Sequence, residues 1–227
     1  MRVRLTGVVG WVLLTCGAGV LLYIAYALLF TNVAADQAQR DLRTQWDRQV
    51  ASATPPEASL PRPSAVPSAP PSAAPAPSAG TPDRPAASVA LLEFSRPGHD
   101  RRPVHDEPLV VLDGVSVADL RRGPGHYPST ALPGREGNFA VAGHRTTYGA
   151  PFLHLDDLRR GDRVVVTDRE GRRFAYEVAR QRVVAPTDVS VIDDDPLGTG
   201  RPTLTLTTCT PRYSAARRLI VHAELVS

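Results

Sequence analysis

The sequence contains no lysine: its 26 basic residues are all arginine, set against 23 acidic ones for a net charge of +3. No dense basic stripe with interleaved aromatic residues occurs, which argues against a nucleic-acid partner. The exclusive use of arginine reflects genomic base composition and says little about partners. Cysteine is nearly absent as well, with two in the whole chain. Cys16 sits in an apolar run and Cys209 near the other end, so they cannot meet and no disulfide staples the fold. There is no His-Glu-x-x-His, no paired Cys-x-x-Cys and no Asp-rich loop, so no metal pattern is present. No glycine-rich phosphate loop and no internal repeat occur either, and no cofactor is expected.

What the chain does have is unevenly spread. Residues 8–30 carry no charge and, as a helix, would span about 34 Å, the thickness of a bilayer core. Arg2 and Arg4 precede this run. The positive-inside rule then leaves the N-terminus in the cytoplasm and the remainder outside. Residues 1–31 are therefore expected to be a cytoplasmic stub and signal anchor, making a single-pass cell-membrane protein with an extracellular head. The competing reading is a signal peptide cleaved near Val33-Ala34-Ala35, although its apolar region would be shorter. Residues 32–50, rich in Asp, Arg, Gln and Ala, are expected to extend the anchor as a polar juxtamembrane helix with no chemistry of its own.

Many of the 22 prolines fall in residues 51–88, a stretch of Pro, Ala and Ser that cannot bury enough apolar surface to fold. Extended as polyproline II it would reach on the order of 110 Å. It is either a spacer holding a head away from the membrane or a passive linker. Residues 89–227 are the expected folded domain, of ordinary single-domain size. Leu109 to Leu112, Asn138 to Ala142, and a hairpin of 163–167 with 173–178 around Arg169-Glu170-Gly171 read as strands, as does a further one near 181–185. Short helical turns are expected at 117–122 and 153–160, the first ended by Gly123-Pro124-Gly125. Many short strands separated by turns indicate an all-β barrel or sandwich.

The final strand pair carries the first candidate chemistry. In Thr203-Leu204-Thr205-Leu206-Thr207-Thr208-Cys209, the leucines take one face and Thr203, Thr205, Thr207 and Cys209 the other. In the next strand Leu219, Val221, Ala223 and Leu225 are apolar, with Arg218, His222 and Glu224 opposite, so Arg218 and not Arg217 points away from the core. A thiol and a guanidinium on adjacent polar faces would share a groove. A cysteine nucleophile also needs an acid or base beside it. Of six histidines, His99, His105, His154 and His222 read as surface or packing residues. His126, in a turn-rich loop, is a weaker candidate. His144 is best placed, because Ala142 and Gly143 let a strand end approach another backbone.

These residues carry a family resemblance. Leu206-Thr207-Thr208-Cys209 resembles the Thr-Leu-x-Thr-Cys signature of sortases, the cysteine transpeptidases of Gram-positive cell envelopes. Ala142-Gly143-His144-Arg145 is similar to their histidine motif, and Arg218 matches the third catalytic position. Gly123-Pro124-Gly125-His126-Tyr127-Pro128 and Gly143-His144-Arg145-Thr146-Thr147-Tyr148-Gly149-Ala150-Pro151-Phe152 are similar to class E sortases of high-GC actinobacteria. So is the layout of anchor, proline-rich spacer and C-terminal head. The resemblance implies a closed β-barrel of about eight strands with short helices, preceded by the transmembrane helix and linker. It departs from the family at residues 96–108, which lack apolar alternation and leave the position of the first strand open.

The resemblance also implies a mechanism. Cys209 attacks the Thr-Gly carbonyl of a Leu-Pro-x-Thr-Gly-like sorting signal, with Ala favoured over Pro by the class E likeness. His144 acts as acid and base and Arg218 as oxyanion donor, while Thr208 and Tyr148 are expected substrate contacts. The partners implied are secreted proteins bearing the signal and a peptidoglycan-precursor amine that resolves the thioester. Three alternatives stand beside this: a pilus-polymerising sortase taking a Lys amine, a thiol hydrolase taking water, and a non-catalytic envelope-binding domain. An Asp-Pro-aromatic lid motif is not indicated, since Asp195-Pro196 is followed by Leu197.

Overall fold

A computed structural model describes residues 2–53, 87–95 and 104–227. The first element, α1 (Arg2–Ala53), is one continuous helix of 52 residues. No proline interrupts it, and it ends just ahead of Pro55-Pro56, where α conformation is disfavoured. Its N-terminal half leaves large apolar side chains uncovered, among them Trp11, Leu14, Leu22 and Tyr23. Among the described residues no helix is long and apolar enough to cross a membrane. The expected anchor includes side chains outside the described residues, as do nearly all of the 51–88 stretch and His99.

The domain that follows is a closed barrel of eight strands in the order β1-β2-β3-β4-β7-β8-β6-β5. In chain order these are β1 (Ser88–Ser95), β2 (Leu109–Asp113), β3 (Gly125–His126), β4 (Asn138–Ala142), β5 (Arg163–Asp168), β6 (Arg173–Val184), β7 (Thr203–Thr210) and β8 (Arg217–Leu225). Closure removes the exposed edges of an open sheet and decides for a barrel over a sandwich. The first strand lies at Ser88–Ser95, ahead of the proline-rich 96–108 stretch, and pairs with both β2 and β5. One strand expectation needs correction: 173–178 and 181–185 form a single strand. A bulge between Val178 and Arg180 breaks its alternation where β6 pairs with β8.

Inward-facing residues of every long strand fill the barrel. Leu204 and Leu206 from β7 meet Leu219, Val221 and Ala223 from β8, Val164 and Val166 from β5, and Phe139 and Val141 from β4. Each such side chain contributes about 1.5–3 kcal/mol by leaving water. The short helix α2 (Val117–Leu120) starts in a capping box of Ser116 and Asp119. A 3-10 turn at Leu155–Asp157 fills the 153–160 position.

The opposite face of β7 is polar but not solvated. Thr203, Thr205 and Thr207 are all buried. Thr205 donates its hydroxyl to Asn138 Oδ1 at 2.8 Å, and Asn138 Nδ2 donates to Asp193 O at 2.9 Å, which brings the β6–β7 connection over the sheet. His222 Nδ1 lies 2.9 Å from the Thr205 hydroxyl oxygen, which accepts its proton. Its Nε2 is buried with no partner among the described residues. Burial, together with the Arg182 and Arg180 guanidiniums, pushes the His222 pKa down to about 4.

The fold therefore holds His222 neutral, whereas the unfolded chain protonates it near pH 6.5. Stability from this residue is complete above that pH, falls as pH drops towards 4 and is constant below. The wild type should lose about 3 kcal/mol more than His222→Gln between pH 6.5 and 4. Urea unfolding at several pH values checks this, and parallel curves for the two proteins would refute it.

The polar half of α1 is not free. Ala35, Gln39, Leu42 and Trp46 are buried, a spacing of four, three and four residues that lines one helix face. Leu42 and Trp46 pack on Val110 and Leu112 of β2. The helix and the barrel thus share a second small core.

Candidate active site

Strand register assembles the expected residues. β4 and β7 are parallel neighbours with Ala142 opposite Thr207. His144 and Cys209 each lie two residues further on. Gly143 N–H donates to Thr207 O at 3.0 Å, and the Thr208 hydroxyl donates to Gly143 O at 2.7 Å. The two chains therefore stay side by side beyond the last ladder pair, and adjacent strands lie about 4.8 Å apart. On the other flank of β7, Cys209 is the register partner of Arg218, and residues opposite each other on an antiparallel pair share a face. The half-buried thiol thus stands between the histidine's strand end and the arginine's. Arg218 currently donates Nη1 to Ala215 O at 3.0 Å and to Arg217 O at 3.2 Å.

The loop after His144 is built to hold its ring. Tyr148, Gly149 and Ala150 all take left-handed backbone conformations, with φ of 51°, 74° and 45°. For the two non-glycine residues this costs on the order of 1–3 kcal/mol each and persists only where the surroundings impose it. The result folds the Tyr148 ring back on the His144 imidazole, with centroids 4.9 Å apart. Arg121, the residue capping α2, lies over the Tyr148 ring at 5.6 Å from its centroid. Phe152 N–H closes the loop onto His144 O at 3.1 Å. Gly143 is required here, because a Cβ would fall 2.6 Å from the Phe152 ring.

Arg145, next to the histidine, is buried. Its Nη2 pairs with Asp156 at 2.6 Å and its Nη1 donates to the Thr210 hydroxyl at 3.1 Å. It therefore ties the histidine loop to the residue after Cys209. Burial acts to raise the Asp156 pKa, but the Arg145 and Arg212 guanidiniums outweigh it and hold the carboxyl below its ordinary value.

The His144 pKa is lowered, first by burial and second by the charge of Arg121. Both effects disfavour the imidazolium. Arg121→Gln removes the second and should raise the His144 pKa, moving any imidazolium-dependent step to higher pH. An NMR titration of the His144 ring measures this directly, and an unchanged or lower pKa would contradict it.

The sequence profile of the sortase domain matches residues 103–226. The chain belongs to the sortase family. It is 32% identical to Sortase SrtE1 of Streptomyces coelicolor over 96% of its own length. The aligned region spans only 56% of that relative's length. Among solved structures, sortase E from Streptomyces avermitilis is 42% identical, with a TM-score of 0.52 over 62% of this chain and 88% of that one. Sortase E1 from S. coelicolor with a tripeptide in the active site is 33% identical, with a TM-score of 0.52 over the same shares.

Within this sortase, not every expected site residue has the expected surroundings. Thr208 is 3% exposed and its hydroxyl is committed to Gly143, so it braces β7 against the histidine loop where a substrate contact was expected. Tyr148 is partly exposed beside His144. Glu224 pairs with Arg201 at 3.2 Å. His126 is buried, with its ring nitrogens against Asp113 and Thr130. His154 pairs with Asp157, and His105 lies in the loop before β2 against Glu107 O. Among the described residues no group of His, Cys, Asp or Glu could hold a metal ion.

Sequence reasoning missed Arg121, Arg145 and Tyr127, whose hydroxyl shares a hydrogen bond with Thr207 at 3.2 Å. Arg145 and Tyr127 both lie inside the motif runs, next to His144 and His126, which was the available signal. Arg121 had none.

Proposed function

We propose that this sortase is a membrane-anchored cysteine transpeptidase. It cleaves a Leu-Pro/Ala-x-Thr-Gly sorting signal between Thr and Gly and joins the new carboxyl end to a cell-wall precursor amine. The observation that supports this most is the shared position of Cys209, Arg218 and His144 at one end of three neighbouring strands. A peptide substrate is further supported by the tripeptide in the active site of the S. coelicolor relative.

In this reading the Cys209 thiolate attacks the Thr carbonyl carbon, and the oxygen gains the negative charge. Arg218 turns from the Ala215 and Arg217 carbonyls to stabilise it. As the intermediate collapses the C–N bond breaks, and the His144 imidazolium gives its proton to the departing Gly amine. The product is a thioester on Cys209. An incoming amine attacks that carbonyl, neutral His144 takes its proton, and the C–S bond breaks to return the thiolate. Tyr148, beside the imidazole, is the proposed substrate contact.

The uncharged run 8–30 with Arg2 and Arg4 before it supports an anchor with the domain outside the cell. The uncovered apolar side chains of the first half of α1 support a lipid partner for that half. The full chain in detergent micelles, given quenched peptides with Pro or Ala at the second signal position, tests the reading. Cleavage between Thr and Gly is expected, faster with Ala. No cleavage of either peptide would refute it.

A further inference from the structure

We infer that residues 32–46 of α1 are a built-in part of the catalytic domain, with Gln39 docking the helix and Asn32 acting as a positioning residue for the histidine loop. This rests on His144 having the role proposed above.

The docking site is a gap in the barrel. β3 has only two residues and pairs with β2 at Leu112 and Asp113 alone. Two residues before Leu112, on the same edge of β2, Val110 has a backbone N–H and C=O with no strand among the described residues beside them on that side. The Gln39 amide takes the place of a strand: Val110 N–H donates to Oε1 at 2.9 Å and Nε2 donates to Val110 O at 3.2 Å. Nε2 also donates to Arg122 O at 2.9 Å, so all three polar functions of the amide are used. Gly123 confirms how closely the amide fits, since a Cβ there would stand 2.0 Å from Nε2. Leu42 and Trp46 seal the contact on Val110 and Leu112, and Arg43 pairs with Glu107 at its rim.

Two turns nearer the N-terminus, the same helix face reaches the histidine loop. Asn32 Oδ1 accepts the Gly149 N–H at 3.1 Å. Ala35 and Asp36 lie beneath Gly149, within 3.4 Å and 3.2 Å of where a Cβ would be. Gly149 is the middle of the three left-handed residues that turn Tyr148 onto His144. A segment separated from that loop by more than a hundred residues of sequence therefore fixes its conformation. On this inference the end of α1 and the start of β1 belong to one body.

The test uses the full chain in micelles. Asn32→Ala should lower kcat about tenfold with KM within about twofold, a change of about 1.4 kcal/mol in the barrier. Asn32→Asp, which keeps the acceptor, should restore most of it. Gln39→Leu should expose the Val110 amide to hydrogen exchange and lower kcat in the same way, and Asn32→Ala should expose the Gly149 amide. Wild-type kcat in Asn32→Ala, or an Asp variant no better than Ala, overturns the positioning role. A Val110 amide as protected in Gln39→Leu as in wild type overturns the docking. Exchange is read without turnover, so absent cleavage by the wild type would count against the proposed function while the docking is still decided.

Discussion

Cys209→Ala should reduce sorting-peptide cleavage to background while the chain unfolds at the wild-type temperature. The expected loss is total because the described residues place no second thiol beside the histidine loop. The sequence has two cysteines, and Cys16 lies on α1, far along the chain from the histidine loop. A hydroxyl is no substitute, since a serine at 209 has no thiolate-like state near neutral pH, so Cys209→Ser should be almost as inactive. Stability is spared because the thiol is only half-buried on the outer face of β7, outside the core built by Leu204 and Leu206. Cys16→Ala serves as the control and should retain full activity. Cleavage measured alongside a melting curve checks both halves, and turnover retained in Cys209→Ala would remove the nucleophile from the account.

Arg218→Ala should lower the rate by about 100-fold to 1000-fold, the usual cost of losing one oxyanion donor, whereas Arg217→Ala should stay near wild type. The two arginines are adjacent in sequence and differ only in parity. Arg218 is opposite Cys209 and Arg217 opposite Thr210, so their side chains leave opposite faces of β8. Arg217 is exposed. Arg218 needs only to release two carbonyls, at 3.0 Å and 3.2 Å, to face the thiol. Arg218→Lys should fall in between, because an ammonium keeps the charge and loses the planar fork. Steady-state rates for the three variants decide it. If Arg217→Ala were the damaging one, the register reading would be wrong.

The terminal strand pair was legible because its alternation has the period of a half-buried strand, and the pairing of Cys209 with Arg218 follows from it. The same alternation marks Thr205 and Thr207 as a polar face but not as a buried one: Thr205 is covered by the β6–β7 connection through Asn138 and Asp193, and Thr207 meets the Tyr127 hydroxyl. Parity also failed in β6, where the bulge after Val178 splits one strand into two apparent ones. The histidine loop was legible as a motif but not as a shape, since no pattern in Tyr148-Gly149-Ala150 announces three left-handed residues in a row. The docking of α1 was the largest omission. Gln39 reads as a solvated residue, and only a strand gap more than seventy positions away gives its amide a purpose. A signal was present in Ala35, Leu42 and Trp46, which share a helix face at seven- and four-residue spacing.

The central claim is that this sortase transfers an acyl group from a thioester on Cys209 to an amine. Mass spectrometry of the products, formed from a Leu-Ala-x-Thr-Gly peptide with an excess of a small peptide amine, tests it most directly. A new species is expected in which the fragment ending in Thr is joined through an amide to the added amine. The hydrolysed acid alone, with no amine adduct at any amine concentration, would contradict it.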